Sequence, residues 1–290
     1  MRELWSGGEA RTNALLRVTA LLFLAHLVDG GAMKLPLGHR LELLTRFAAW
    51  AAMGLALAFG RPVLRHRSTW LVLAACMTWV TLAYFDEVGN HQYVLTYVAV
   101  LMALACDRDP ERSFAVAATG LRWMLVAIMG FAALQKALNP AFRDGSFIAF
   151  MFSQGLLFEP VLRLCGSCWD AVLHDQQAMA AAAALDPNGA APVPLAAPLV
   201  FMPVVNQGFT LLTLGIEFLV AVAFAAVPSQ AIRHGLLIAF IATLAVMRPE
   251  HVFAATLATI GLWLCPPRLA LAQRAYLALA IGLMAAAFAA

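Results

Sequence analysis

FAVAATGLRWMLVAIMGFAALQK, at positions 114–136, is a long apolar run that ends on a lysine. Its length matches the roughly 20 mostly apolar residues that a helix needs to cross a hydrocarbon core. The terminal residue, Lys136, is one of two lysines in the chain, the other being Lys34. An ammonium near hydrocarbon is costly, roughly 2.5–3.5 kcal/mol at a helix centre on insertion scales. Lys136 is therefore expected to face a partner or a water-filled cavity. Lysine is also the cation that loses its proton most readily on burial, which makes a neutral, basic amine available to chemistry.

The rest of the chain has the same character. Of its 290 residues, 63% are hydrophobic and 12% charged, against about 25% charged in soluble domains. The composition predicts an all-α, polytopic integral membrane protein. Apolar runs fall at 14–33, 43–60, 69–85, 92–106, 114–136, 209–227, 231–247, 252–265 and 275–290. The fourth and eighth are short and the last is weakly bounded, so eight or nine spans are expected. Gly-Arg-Pro at 60–62 and Asp-Pro at 109–110 mark connections. A polar stretch precedes the first run and no small-residue cleavage site follows it, so no removable signal peptide is expected. The net charge of +3 is spread along the chain, which gives no basic patch for nucleic acid.

Residues 137–205 break the pattern of spans. The segment 145–164 is apolar but interrupted by Ser153, Gln154, Gly155, Glu159 and Pro160. That mixture suits an interfacial or re-entrant element, which is tolerated at membrane depth where protein covers it. The segment 178–203 is rich in Ala and Pro and reads as a loop, with room for a short helix. Connections on the N-terminal side of the membrane carry Arg2, Arg11, Arg61, Arg65, Arg67, Arg108, Arg112, Arg233, Arg268 and Arg274. The opposite side carries Lys34, Arg40, Lys136, Arg143, Arg163 and Arg248. This bias predicts a cytoplasmic N-terminus, and a bacterial inner membrane is the expected location. On that orientation the unusual polar residues share the outer side: His26 and Asp29, Asp86 to His91, Lys136, Asp144, Cys165, Cys168, Glu250 and His251.

Each constellation admits a plain reading beside a functional one. Lys136 either snorkels or pairs with a carboxylate such as Asp144, or it is a desolvated general base. Asp86-Glu87-Val88-Gly89-Asn90-His91 is either a solvated turn or a site in which His91 turns toward Lys136 as donor or proton shuttle. Glu217 lies in an apolar run, where a carboxylate marks a functional site by default. Its plain reading is a structural pair with Arg122 or Arg17. Cys165-Gly-Ser-Cys168 has C-x-x-C spacing, open to a structural disulfide, a redox dithiol or, with His174, a metal site short of a ligand. Nucleotide-binding, zinc-protease and nucleophile-elbow motifs are absent from the sequence.

Three blocks taken together resemble the HTTM family. They are Ala133-Leu134-Gln135-Lys136, then Phe142-Arg143-Asp144-Gly145, then Gly155-Leu156-Leu157-Phe158-Glu159-Pro160. That family includes the membrane part of vitamin K-dependent gamma-carboxylase. Asp86 with Asn90-His91 resembles the family's acidic residue followed by Asn-His, and Glu217 falls where the family often carries an acid. The resemblance covers roughly residues 12–267 and is most specific from Lys136 to Pro160. It implies a transmembrane domain over 1–267, with 137–205 as an outer loop bearing the interfacial segment, and a C-terminal transmembrane helix over 268–290.

The resemblance also implies chemistry. In the carboxylase, the lysine at the position of Lys136 deprotonates a vitamin K hydroquinone at a lumenal site, and a histidine at the position of His91 belongs to the same site. Carried over, Lys136 is the base, His91 and Asp86 orient or relay protons, Glu217 handles protons within the membrane, and Asn90 and Asp144 contact a quinone. Phe142 stands where the family usually has Trp, and Phe240 or a neighbour where a later helix has His, with His234 and His251 flanking it. A large lumenal substrate domain is not expected within these 290 residues, so quinol chemistry without protein carboxylation is the leading expectation. Thiol–disulfide maturation of a secreted partner through Cys165 and Cys168 is the second. An accessory subunit of a membrane complex, with a protein partner at the outer face, is the third.

Overall fold

The computed structural model describes residues 8–29, 49, 51, 53–59, 61–83, 90–106, 109–164, 166–185, 203–247 and 250–289. Every regular element among them is an α-helix. In chain order these are α1 (Gly8–Asp29), α2 (Arg61–Arg65), α3 (Arg67–Ala83), α4 (Asn90–Ala105), α5 (Pro110–Leu138), α6 (Pro140–Arg143) and α7 (Ser146–Ser153). They continue as α8 (Glu159–Leu164), α9 (Gly166–Leu185), α10 (Pro203–Ala226), α11 (Gln230–Met247), α12 (His251–Leu264) and α13 (Ala270–Ala289). Residues 53–59 are helical as well.

Four of the described helices are long and apolar enough to cross a membrane, over Pro110–Leu138, Asn206–Ala226, Gln230–Met247 and Ala270–Ala287. Their most apolar windows are just 22–33% buried. The outward surface carries Trp123, Phe131, Leu134, Leu211, Phe218, Ile232 and Ile281. Apolar area on that scale calls for lipid or protein to cover it.

Two compact units divide the chain. The first comprises Met1–Val126, Ala223–Ile241 and His251–Ala290, the second Ala127–Val222 and Ala242–Glu250. The first is organised about α12, whose residues from Ala254 to Trp263 are all buried. A helix that is apolar all round belongs inside a bundle, and α1, α4 and α13 pack on this one. The Trp263 indole stacks on Phe114 at 5.8 Å and donates to Thr19 Oγ1 at 3.0 Å. At one end Arg11 lies over Phe114 and donates to the Cys265 carbonyl, while Arg65 reaches Asn13 at 2.7 Å and Glu9 at 2.9 Å.

Arg122 serves the first unit differently. Its Nε donates to Phe224 O at 2.7 Å and its Nη2 to Ala225 O at 3.0 Å. These are last-turn carbonyls of α10, which lack helical partners, and an arginine fork suits two of them at once. Removing it leaves part-buried carbonyls unsatisfied. Arg122→Met is expected to cost about 1–3 kcal/mol and Arg122→Lys less, as read by denaturant unfolding in micelles. Equal losses for the two variants would show that the fork is not what matters.

The second unit holds the broken segment after α5. Asn139 caps α6 by accepting from Ala141 N at 3.0 Å, with Pro140 at the first helical position. Gly145 then turns the chain at φ 80°, and Asp144 Oδ1 accepts from Ser146 N at 2.9 Å to start α7. A Cβ on Gly145 would sit 3.0 Å from that of Asn206, so the residue serves both backbone conformation and close approach to α10. After α7 the chain turns at Gly155 (φ 65°) and again at Phe158 (φ 56°). The left-handed region costs a bulky residue about 1–2 kcal/mol. Phe158 N donates to Met247 O at 2.6 Å, and its ring packs with Phe152 and Phe209. The interrupted segment is thus two short helices joined by turns.

The expectation of a loop from 178 changes in one respect. Residues 178–185 continue α9 as helix, because a run of Ala is the strongest helix former. Residues 186–202 lie outside the described set.

Candidate functional site

The central feature of the second unit is a contact between Lys136 and Glu217. Lys136 lies in the last turn of α5, and Glu217 in the middle of α10. Lys136 Nζ donates to Glu217 Oε1 as an ion pair. The carboxylate side chain is 7% exposed and that of the lysine 20%. Glu217 Oε2 is buried and has no hydrogen-bond partner among the described residues. The ammonium also sits 5.7 Å from the centroid of the Phe142 ring. Phe142 in turn stacks on Phe147 at 4.3 Å.

Lys136 pairs with a carboxylate, as its plain reading expected, but the named partners of both residues change. Lys136 pairs with Glu217 and not with Asp144. Glu217 pairs with Lys136, while Arg122 is spent on the α10 carbonyls and Arg17 is exposed. Asp144 stands fully exposed at the α6–α7 turn. Hydrogen bonds from the Ser146 backbone and hydroxyl hold its carboxyl below the usual carboxylate range.

The other predicted residues are placed less fully. Asp86 and Cys165 lie outside the described residues. Asn90 and His91 form the first turn of α4, and Cys168 the first turn of α9, with side chains outside the description. His234 and Tyr276 form a buried pair the sequence did not single out, with His234 Nδ1 and Tyr276 Oη 3.1 Å apart. Phe240 is buried on α11. Among the described residues no group of His, Cys, Asp and Glu is placed to hold a metal ion. A cavity of about 10 Å³ in the first unit, lined by Thr12, Arg65, Met102, Cys106 and Trp263, has room for about one water and none for a quinone ring.

The chemistry available at Lys136 and Glu217 follows from this geometry. The pair is neutral overall, set among apolar side chains, with one acceptor atom unused. It can take one proton, or hold a hydroxyl compound by donation from Nζ and acceptance at a carboxylate oxygen. The Phe142–Phe147 stack lies beside it. No family profile, curated protein or solved structure matches the chain.

Proposed function

We propose that this chain is an integral membrane protein of eight or nine spans, akin to the HTTM family, with a cytoplasmic N-terminus and a site that takes a proton from a lipophilic quinol. The supporting observation is the Lys136–Glu217 pair: an acid and a base held together on two long apolar helices, beside stacked aromatic rings. A phenolic hydroxyl ionises near pH 10 in water, as tyrosine does. A cation beside the oxygen favours the anion, and a neighbouring acceptor receives the proton. The neighbouring aromatic rings suit a planar ring, and lipid-covered helices fit a substrate that arrives through the bilayer.

Oxidation of a reduced naphthoquinone by dissolved oxygen proceeds through the quinolate, so it reports on proton removal. Wild-type protein in lipid nanodiscs is expected to accelerate it, and Lys136→Ala to lower that rate about 100-fold, the usual lower bound for positioned acid–base groups. An Ala variant as fast as wild type would remove the reading.

A further inference from the structure

We propose that Lys136 is a standing ammonium and that Glu217 Oε2 is the atom of this pair that accepts and releases the proton. Three features hold the charge on Lys136. Its nitrogen touches a carboxylate oxygen. It lies over the Phe142 ring face at 5.7 Å, within the range at which a ring quadrupole attracts a cation. It also sits in the last turn of α5, where the helix macrodipole and free carbonyls favour positive charge. An amine that bound its own proton reversibly would lose all three on each cycle.

Glu217 has the opposite circumstances. One oxygen is engaged by Lys136, and the other is buried with no donor among the described residues. A buried charged acceptor without a donor is costly, by about 1–3 kcal/mol or more, and a proton placed there neutralises the buried charge. Among the described residues, Lys136 is the charged group in contact with it. Asp144 is fully exposed, and Glu159 is tied to Arg163 at 2.7 Å.

The step balances simply. A hydroxyl proton leaves its oxygen for Glu217 Oε2. The O–H bonding pair stays on the donor oxygen as an anion, a carboxyl O–H forms, and Lys136 remains charged beside the new anion. The choice of a quinol as donor rests on the proposed function. The seat of the proton within the pair does not.

The chain's two lysines make a direct test possible. With Lys34→Arg, Lys136 is the sole lysine, and ¹⁵Nζ-lysine labelling in nanodiscs yields one side-chain signal. That signal is expected to be an ammonium. In wild type, acidification is expected to bring up an infrared carboxyl C=O band that Glu217→Gln lacks. A neutral-amine signal near neutral pH overturns the assignment. So does an acid-induced carboxyl absorbance that is no smaller in Glu217→Gln than in wild type. Should Glu217→Gln fail to fold, the nitrogen signal decides alone. Anaerobic addition of a naphthoquinol is the separate arm: it is expected to raise the same carboxyl band. If it changes nothing while acid titration behaves as expected, the quinol reading falls and the proton's seat stands.

Discussion

Lys136→Met is expected to destabilise the protein by about 3–5 kcal/mol, the range for breaking a buried ion pair by removing one partner. Most of that loss comes from what remains. Glu217 is buried on α10, its Oε2 has no donor among the described residues, and without Lys136 neither oxygen has one among them. Glu217→Gln is expected to cost less. The lysine it strands is one-fifth exposed and lies at a helix end, so its flexible stem can carry the ammonium toward the interface. Removing both charges with Lys136→Met and Glu217→Leu should recover most of the loss, since apolar replacement of a whole buried pair is often neutral or stabilising. Unfolding in mixed micelles of the two singles and the double gives the coupling energy directly. Strictly additive losses would mean that the two side chains do not depend on each other for stability.

The same pair shows where sequence reasoning reached and where it stopped. A lysine closing a 23-residue apolar-rich stretch (positions 114–136) had to face something, and it does. Which residue it faces was not legible, because Glu217 lies 81 residues away. Hydropathy gives each helix its apolar face but not its neighbour. Reasoning by proximity therefore offered Asp144 to the lysine, yet that carboxylate serves the turn that starts α7. The arginine offered to Glu217 serves helix-end carbonyls, a role open to any arginine near a helix terminus and carried by no motif. The break at Gly155 was legible, since glycine among apolar residues marks a change of backbone direction. The left-handed Phe158 was not, because nothing in Leu-Leu-Phe-Glu-Pro favours that conformation locally. It is held by tertiary contacts, through Met247 O and the rings of Phe152 and Phe209. The short run at 252–265 read as a marginal span. The structure makes it the buried centre of the first unit, and an apolar surface on every side of a helix is the signal for that.

Gly261→Leu is expected to disrupt the first unit more than any other single glycine change described here. A Cβ at position 261 would lie 2.3 Å from Tyr276 Cε1 and 2.6 Å from Cζ. Small residues at helix contacts let backbones approach closely in membrane bundles, and this one lets α13 lay a whole ring against α12. The ring cannot swing aside easily. It is completely buried, and its hydroxyl is anchored 3.1 Å from His234 Nδ1 and 3.3 Å from His234 O. Nor can α12 move away readily, because its other faces are buried too. Gly261→Ala alone is expected to cost about 1–3 kcal/mol from overpacking, with Leu at or beyond the upper end. Gly235 provides the control, since nothing lies within 4 Å of a Cβ there. Gly235→Ala should be neutral or stabilising by up to about 1 kcal/mol, through the helix propensity that Ala adds. Pairing Gly261→Ala with Tyr276→Ala separates sterics from everything else. Once the ring is gone the added methyl meets open space, so the double variant should be little worse than Tyr276→Ala alone. If the two losses instead add in full, the close approach of α12 and α13 is not what Gly261 provides.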